Sequence, residues 1–355
     1  MGYGLAIVFL VVSLLFSPQA FCDVPAVPKV GFILPLSGEW AFLGNGIRGG
    51  ALLAQEDLRK KGEQIDLVFE DNQGNLATSV TIAKRLINST KVDGLISIIS
   101  GVGKLLNPLA SDAKILNIGI CSETEVADGK YSFINYLTAE QGVSKFLKQL
   151  APRNALGVFS LNESGFKKIL DELKKQAGNS VNISFEDYFE KGTSDFRAML
   201  TKRKFKPVDA WLVLGLSPEI ETLVKQARSL GIDTQVVSIE GFGLARDKSL
   251  FEGSWFVDSA VPKEEFRERF TQEYGNEVTP GAGHSYDSVM MLASAFEMSR
   301  GSSGIIDRGK VAENFRKIKD FPGIIGPLTV KPNGIVWSEA SIKVIKNGKP
   351  EIRTP

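Results

Sequence analysis

The stretch from Val30 to Gly50 constrains the fold of this chain more than any other. It reads VGFILPLSGEWAFLGNGIRGG: an apolar run that ends at Pro35, a Ser-Gly turn in a loop with aromatic residues, and a helix that starts at Asn45 or Gly46. A strand, a loop and a helix in this order are typical of the start of a βαβ unit. Because ligands of open α/β sheets lie beyond the carboxyl ends of the strands, we expect the bound molecule near this loop.

The same alternation continues along the chain in two series. Predicted strands of the first series cover residues 29–36, 65–70, 92–100 and 115–119, with an extended segment at 131–136. Those of the second series cover residues 155–160, 182–188, 210–215 and 235–239. Strands that alternate with helices predict parallel sheets. We therefore predict an α/β protein with two Rossmann-like lobes.

The remainder of the chain is expected to complete both lobes. Helical patterns at residues 263–274, 285–299 and 310–318 are assigned to the first lobe, and the β segments after Pro327 to the second. The predicted bounds are 27–136 plus 260–326 for the first lobe and 138–257 plus 328–355 for the second. The chain then crosses between the lobes three times. Three linking strands form a hinge, and a cleft between hinged lobes is a ligand site.

Residues 1–22 are predicted to be a secretory signal peptide. Leu5–Phe16 is an apolar run too short to span a bilayer comfortably, and small side chains flank Phe21 at a cleavage site before Asp23. We therefore expect export to the periplasm. Cys22 is also a candidate for a lipid anchor.

Charge and cysteine content exclude several functions. The chain has 42 Lys and Arg against 41 Asp and Glu, evenly scattered, so we expect no nucleic-acid partner. If cleavage removes Cys22, Cys121 alone is left and an internal disulfide is excluded. The sequence has one histidine, His284, and no Cys/His cluster, so no metal site and no cofactor are expected. We also expect a monomer.

Two patterns suggest enzymes, and both have structural explanations. Gly44-x-Gly46-x-x-Gly49 matches the dinucleotide motif, but about eight residues separate Pro35 from Gly44, whereas a dinucleotide site has its first glycine directly after the strand. Gly46, Gly49 and Gly50 are instead predicted to be close-packing positions. His284 is followed by Ser285 and Asp287, but neighbours on a helix face different directions and the chain has no GxSxG.

Three segments at strand ends are the candidate ligand-binding residues. Ser100-Gly101-Val102-Gly103 precedes a helix and offers free backbone N–H groups and a hydroxyl to a carboxylate. Ile120-Cys121-Ser122 ends the next strand at the same edge. Glu240 ends a strand of the second lobe at the matching edge, where it could receive an ammonium group. Ordinary turn residues remain the alternative for each segment, and their coincidence at facing edges favours a site.

In this order the motifs resemble those of the leucine/isoleucine/valine-binding proteins, which are periplasmic type I solute-binding proteins of ABC importers. The resemblance covers nearly all of the mature chain. It rests on VGFILPLSGEWAFLG, the DNQGN turn, Ser100-Gly101, Gly215-Leu216-Ser217-Pro218-Glu219, Ile239-Glu240-Gly241, Ser285-Tyr286-Asp287 and Ile325-Gly326-Pro327-Leu328. The resemblance implies two Rossmann-like lobes, three linkers and closure around one small ligand.

The resemblance also implies roles for single residues. The family's carboxylate-binding loop matches Ser100, Gly101 and Val102, its next hydroxyl-bearing loop matches Ile120, Cys121 and Ser122, and its acidic ligand for the α-amino group matches Glu240. Two family tyrosines are matched by Leu43 and Leu216, and a third by Ser164 or Gly165. With Trp40 nearby, the pocket is expected to be roomier and more apolar, with Trp40, Leu43 and Leu216 around the side chain of the ligand.

The sequence therefore predicts a non-enzymatic protein that delivers an amino acid, branched-chain, larger aliphatic or aromatic, or a related carboxylate to the membrane subunits of an ABC permease. One alternative is a ligand sensor of the same fold that feeds a signalling partner. The other is a secreted or NAD-dependent enzyme, for which the sequence offers no base or nucleophile.

Overall fold

The computed structural model describes residues 27–150, 155–301 and 304–353. Its strands are β1 Lys29–Leu34, β2 Asp66–Asp71, β3 Gly94–Ile98, β4 Leu116–Ile120, β5 Ser132–Ile134, β6 Ala155–Leu161, β7 Asn182–Phe189, β8 Ala210–Leu214, β9 Gln235–Ile239, β10 Trp255–Asp258, β11 Phe321–Gly323, β12 Gly326–Val330, β13 Val336–Trp337, β14 Ser341–Lys346 and β15 Lys349–Ile352. Its α-helices are α1 Ala41–Lys60, α2 Leu76–Arg85, α3 Ser100–Ala113, α4 Ala139–Gln149, α5 Ser164–Ala177, α6 Arg197–Arg203, α7 Glu219–Ser229, α8 Glu264–Tyr274, α9 Ala282–Met298 and α10 Arg308–Arg316. The predictions for residues 1–22, including lipidation of Cys22, lie outside the described residues.

The predicted α/β architecture with parallel sheets is confirmed. The first sheet has the order β2-β1-β3-β4-β5 and is parallel throughout. The second has the order β15-β14-β10-β9-β8-β6-β7, with β14 and β15 as antiparallel additions at one edge. The predicted Asn347-Gly348 turn joins these two strands, and both of its residues have positive φ, as the common two-residue hairpin turn requires. Among the described residues, no helix has the length and apolar content of a membrane span.

These two sheets are each covered by helices on both faces, and β11, β12 and β13 form a separate three-stranded sheet. On one face of the first sheet, α1, α9 and α10 enclose a core that includes Phe32, Ile47 and Phe296; on the other face, α2 and α3 pack over Ile33. The second sheet is covered by α4 and α5 on one face and by α6 and α7 on the other. Because α9 and α10 come late in the chain, the core of the first sheet is built from two separate segments of sequence.

The glycines of α1 are close-packing positions, as the sequence predicted. A Cβ atom at Gly46 would overlap the side chain of Thr279, and one at Gly50 would overlap the backbone carbonyl of Ala282, the first residue of α9. The GxGxxG pattern thus brings α1 against the chain at the start of α9.

We expect Gly50→Ala to lower the free energy of unfolding by about 1–3 kcal/mol, because the backbone of α9 has to move to admit the methyl group. Urea denaturation measures this effect. Gly165→Ala is a matched control in a helix, since a Cβ there meets nothing within 4 Å. That substitution should be neutral or stabilising, given the better helix propensity of alanine. Equal stability of Gly50→Ala and wild type would contradict the packing explanation.

The third crossing between the lobes differs from the prediction near residues 326–328. Leu328 and Val330 of β12 and Val336 of β13 are buried with the core of the first sheet, and Ile335 forms a bridge to Ile134. After these strands, the chain returns to the core of the second sheet at Ala340. Residues 328–337 therefore pack with the first lobe, because their apolar side chains extend the first core. The other predicted bounds of the lobes stay predictions.

Two helices begin earlier than predicted. The first helix starts at Ala41 rather than at Asn45 or Gly46, and α3 starts at Ser100 rather than near Lys104. Small and polar residues at these points suggested loops, but serine and glycine are tolerated in the first turn of a helix. The earlier starts place Leu43 inside α1, and Ser100, Gly101 and Val102 inside α3.

Candidate functional site

The two lobes present their strand ends to one another. Two residues other than glycine have a positive φ at these strand ends. Ile99 directly follows β3 and has a φ of 75°, and Glu240 directly follows β9 and has a φ of 64°. Each turns the chain from its strand into a helical segment, α3 in the first lobe and the 3₁₀ turn Gly241–Leu244 in the second. Strained backbone of this kind clusters at ligand-binding sites.

A first cavity of about 370 Å³ lies between the lobes. Ser122, which follows β4, lines it from the first lobe, and Glu240 lines it from the second. Leu137 and Thr138 of the first crossing and Gly165 of α5 are also in its wall. Its volume falls within the range of roughly 300–1,000 Å³ that is usual for small-molecule sites. The structure thus brings together two residues that the sequence assigned to opposite walls.

Glu240 is the most perturbed carboxyl in this cavity. Burial raises the pKa of Glu240 to about 8, the negative charge of Asp258 adds to the rise, and a hydrogen bond with Tyr136 opposes it. Asp258 is held in place by Lys343, whose Nζ lies 2.6 Å from its carboxylate, and by the Ser259 N–H at 2.7 Å. A carboxyl that is desolvated at neutral pH favours a positively charged partner, which would restore its ionised form.

A second cavity of about 310 Å³ contains two of the three residues predicted for the ligand's side-chain pocket, Trp40 and Leu216. Trp40 and Phe42 line it from the first lobe, and Leu216 and Leu244 from the second. Lys248 also lines this cavity, and its Nζ donates to a backbone carbonyl of its own loop at 2.9 Å. The wall is therefore largely apolar and aromatic, with Glu39, Arg246 and Lys248 as its charged residues.

The acidic DNQGN turn positions the loop that carries Trp40. The Asp71 carboxylate accepts hydrogen bonds from the Leu36 N–H at 2.9 Å, from the Ser37 hydroxyl at 2.6 Å and from the Gln73 N–H at 2.9 Å. One carboxylate thus ties the first loop to the end of β2. The turn therefore has a structural role beside the site.

The remaining predicted residues lie at or below the surface of the first lobe and line neither cavity. Four of them are buried in its cores: Leu43, Val102, Ile120 and Cys121. Ser100 and Gly101 are partly exposed in the first turn of α3, and the Ser100 hydroxyl accepts from the Glu123 N–H at 3.4 Å. Burial raises the pKa of the Cys121 thiol to about 12, so this cysteine is unreactive at neutral pH. Roles in ligand binding stay predictions for all ten residues.

Ion pairs that the sequence did not indicate join the lobes across the cleft. Lys168 of α5 lies 2.9 Å from Glu123 and 2.6 Å from Glu125, two residues of the first lobe. Arg246 of the second lobe lies 3.5 Å from Glu39 of the first. Each pair combines residues far apart in the chain, so spacing in the sequence gave no signal. Among the described residues, no group of His, Cys, Asp and Glu could hold a metal ion.

Two Rossmann-like lobes with a cavity between their strand ends define a solute-binding protein of type I. The family model for periplasmic binding proteins matches residues 28–349, and the chain belongs to that family. It is a periplasmic binding protein of the branched-chain amino acid ABC transporter family and not an enzyme. Such proteins work outside the cytoplasm, bind small molecules and serve ABC permeases.

Known relatives cover nearly the whole chain. It is 27% identical to the Leu/Ile/Val-binding protein BraC3 of Rhizobium johnstonii, over 93% of this chain and 94% of the relative. The structure of the substrate-binding protein LivJ of Streptococcus pneumoniae, in complex with isoleucine, matches with a TM-score of 0.76 and 24% identity over 93% of this chain and all of that one. A solute-binding protein of R. palustris in complex with benzoate matches with a TM-score of 0.72 and 16% identity over 92% of this chain and 95% of that one.

Proposed function

We propose that this protein binds an amino acid in the cleft between its lobes and delivers it to an ABC permease. The observation that supports an amino acid is Glu240, a desolvated carboxyl that faces Ser122 across the first cavity. An ammonium group placed there would pair with the ionised carboxylate. A branched-chain, larger aliphatic or aromatic amino acid fits this arrangement.

The charge of the first cavity supports a ligand with an ammonium group over a simple carboxylate. Six acidic residues line it against two lysines: Glu123, Glu125, Glu140, Asp171, Glu172 and Glu240, with Lys168 and Lys175. A ligand with net negative charge, such as benzoate, would be repelled by this excess. A zwitterion can direct its positive end toward Glu240 and its carboxylate toward the other wall.

The second cavity supports a bulky apolar side chain. Glu240 of the first cavity directly precedes the 3₁₀ turn Gly241–Leu244, whose residues Gly243 and Leu244 line the second cavity. An amino acid with its ammonium at Glu240 can therefore extend its side chain past Leu244 toward Trp40 and Leu216. Gly165 and Leu216, which line the two cavities at positions matched to family tyrosines, support a ligand side chain larger than that of leucine.

The ligand carboxylate is assigned to the first lobe. The first turn of α3, from Ser100, has backbone N–H groups that no helical carbonyl can satisfy, and Ser122 adds a hydroxyl at the same edge. Of these donors, Ser122 lines the first cavity together with Glu240, so one zwitterion bound there would contact both walls and hold the lobes together.

A thermal-shift screen of the mature protein tests this proposal. The screen compares branched-chain, aromatic and larger aliphatic L-amino acids with benzoate and with carboxylic acids that have the same carbon skeletons but no amino group. A ligand of the native state raises the midpoint by mass action. We expect at least one amino acid to raise it and its deaminated analogue to have little effect. A shift with benzoate or with the deaminated acids alone would contradict the proposal.

A further inference from the structure

The ion pairs that join the two lobes all have the same polarity. Among the described residues they are Lys168 with Glu123 and Glu125, Arg246 with Glu39, and Lys349 with Glu277. Glu277 lies between α8 and α9, and Lys349 begins β15 of the second sheet. In each pair the acid belongs to the first lobe and the base to the second. Opposite charges therefore face one another across the cleft.

Two of these contacts lie in the walls of the two cavities. Lys168, Glu123 and Glu125 line the first cavity. Arg246 and Glu39 line the second. In both cavities the residues that pair across the cleft thus belong to the wall that would surround a ligand. A separation of the lobes would therefore open both cavities and break both contacts at once.

Glu123 is fixed to its own lobe more firmly than the other acids. Its side chain is only 14% exposed, Lys104 of α3 pairs with it, and its N–H donates to the Ser100 hydroxyl at 3.4 Å. Lys168 reaches it at 2.9 Å from α5 of the other lobe. Because solvent and salt screen a half-buried pair less than an exposed pair, we expect this contact to be the strongest of the set.

We propose that Lys168, Arg246, Lys349 and their acidic partners form an electrostatic latch that closes the cleft without a ligand. The inference goes beyond the proposed function, because it does not depend on which molecule the cleft binds. The closed form has ion pairs that an open form lacks, and salt weakens them, since the Debye length falls from about 30 Å at 0.01 M to about 3 Å at 1 M ionic strength. Ionic strength therefore sets the balance between the open and closed forms of the free protein.

Small-angle X-ray scattering of the mature protein tests the latch, after unfolding and refolding have removed any bound ligand. We expect wild type to have a larger radius of gyration in about 1 M than in about 0.01 M sodium chloride, because the screened lobes separate. The double variant Lys168→Met, Arg246→Met should have the larger value at both concentrations. Scattering of wild type that does not change with salt, or a double variant that stays as compact as wild type at low salt, would overturn the proposal.

Lys175→Met is the matched control for Lys168→Met. Lys175 lines the same cavity from the same helix, but it pairs with Glu172 of that helix at 3.1 Å. The two substitutions change the net charge equally, and only Lys168→Met removes a contact between the lobes. We expect Lys175→Met to scatter like wild type at both salt concentrations. An expansion as large as that of Lys168→Met would assign the effect to net charge and contradict the latch.

An exchange of charges separates pairing from any other role of these side chains. Arg246 and Glu39 are both exposed, so the fold should tolerate substitution of either. Arg246→Glu places two acids opposite one another and should expand the protein at low salt. Adding Glu39→Arg restores an opposite pair and should return the radius of gyration to the wild-type value. A double variant that stays as expanded as Arg246→Glu would overturn the proposal.

Discussion

Replacing Glu240 by glutamine is expected to weaken the binding of an amino acid at least thirtyfold, or about 2 kcal/mol or more. The substitution keeps the shape of the side chain and removes its charge, so the buried ammonium of the ligand would have no ionic partner. Leaving a charged group buried and unpaired costs more than an average hydrogen bond contributes. Isothermal titration calorimetry with the amino acid found by the thermal-shift screen measures the effect.

Glu140→Gln is the matched control for this substitution. Glu140 lines the same cavity but is exposed to solvent, where water screens its charge. We expect its affinity to stay within about twofold of wild type. If Glu240→Gln also binds like wild type, Glu240 is not part of the site, and a ligand without an amine becomes the better explanation of the cleft.

Affinity for the same amino acid is expected to fall about tenfold for each pH unit below about 8. Burial and the charge of Asp258 raise the pKa of Glu240 to about 8 in the free protein, so at pH 7 most molecules carry a neutral carboxyl. The ammonium of the ligand needs the ionised form, so binding releases a proton. Calorimetry in buffers with different enthalpies of ionisation counts that proton, and affinity that does not change between pH 6 and pH 8 would contradict this prediction.

The raised pKa of Glu240 also determines the direction in which the free energy of unfolding of the free protein changes with pH. A carboxyl whose pKa is raised on folding contributes stability that is fully present below its unfolded value of about 4.5 and is lost as the pH rises through about 8. The free energy of unfolding should therefore fall between these limits, by at most about 1.4 kcal/mol per pH unit from Glu240. Asp287, whose pKa burial raises to about 7, acts in the same direction. The difference between wild type and Glu240→Gln isolates the part due to Glu240.

The fold was predictable from the sequence because alternation of strands and helices is a local pattern. Each strand and its following helix are visible in the order of apolar residues, and the parallel sheets follow from that order. The close packing of Gly46 and Gly50 was predictable for the same reason. The third crossing was not, because the short strands β12 and β13 have no pattern that tells one core from another.

Two of the predicted ligand-binding residues that come shortly after a strand lie in the wall of the first cavity. Ser122 and Glu240 come after β4 and β9, and both line the first cavity. The earlier start of α1 buries Leu43 in the first core.

The two-segment construction of the first lobe has a consequence for synthesis and export. Strands β1–β5 are made first, but their core lacks α9, α10 and β12 until most of the chain has been produced. The second lobe likewise needs its edge strands β14 and β15 from the extreme end of the described chain. Neither lobe can therefore be completed before the last part of the chain has been made, so a nonsense mutation that removes β12 and everything after it would leave both lobes unfinished and open to proteolysis.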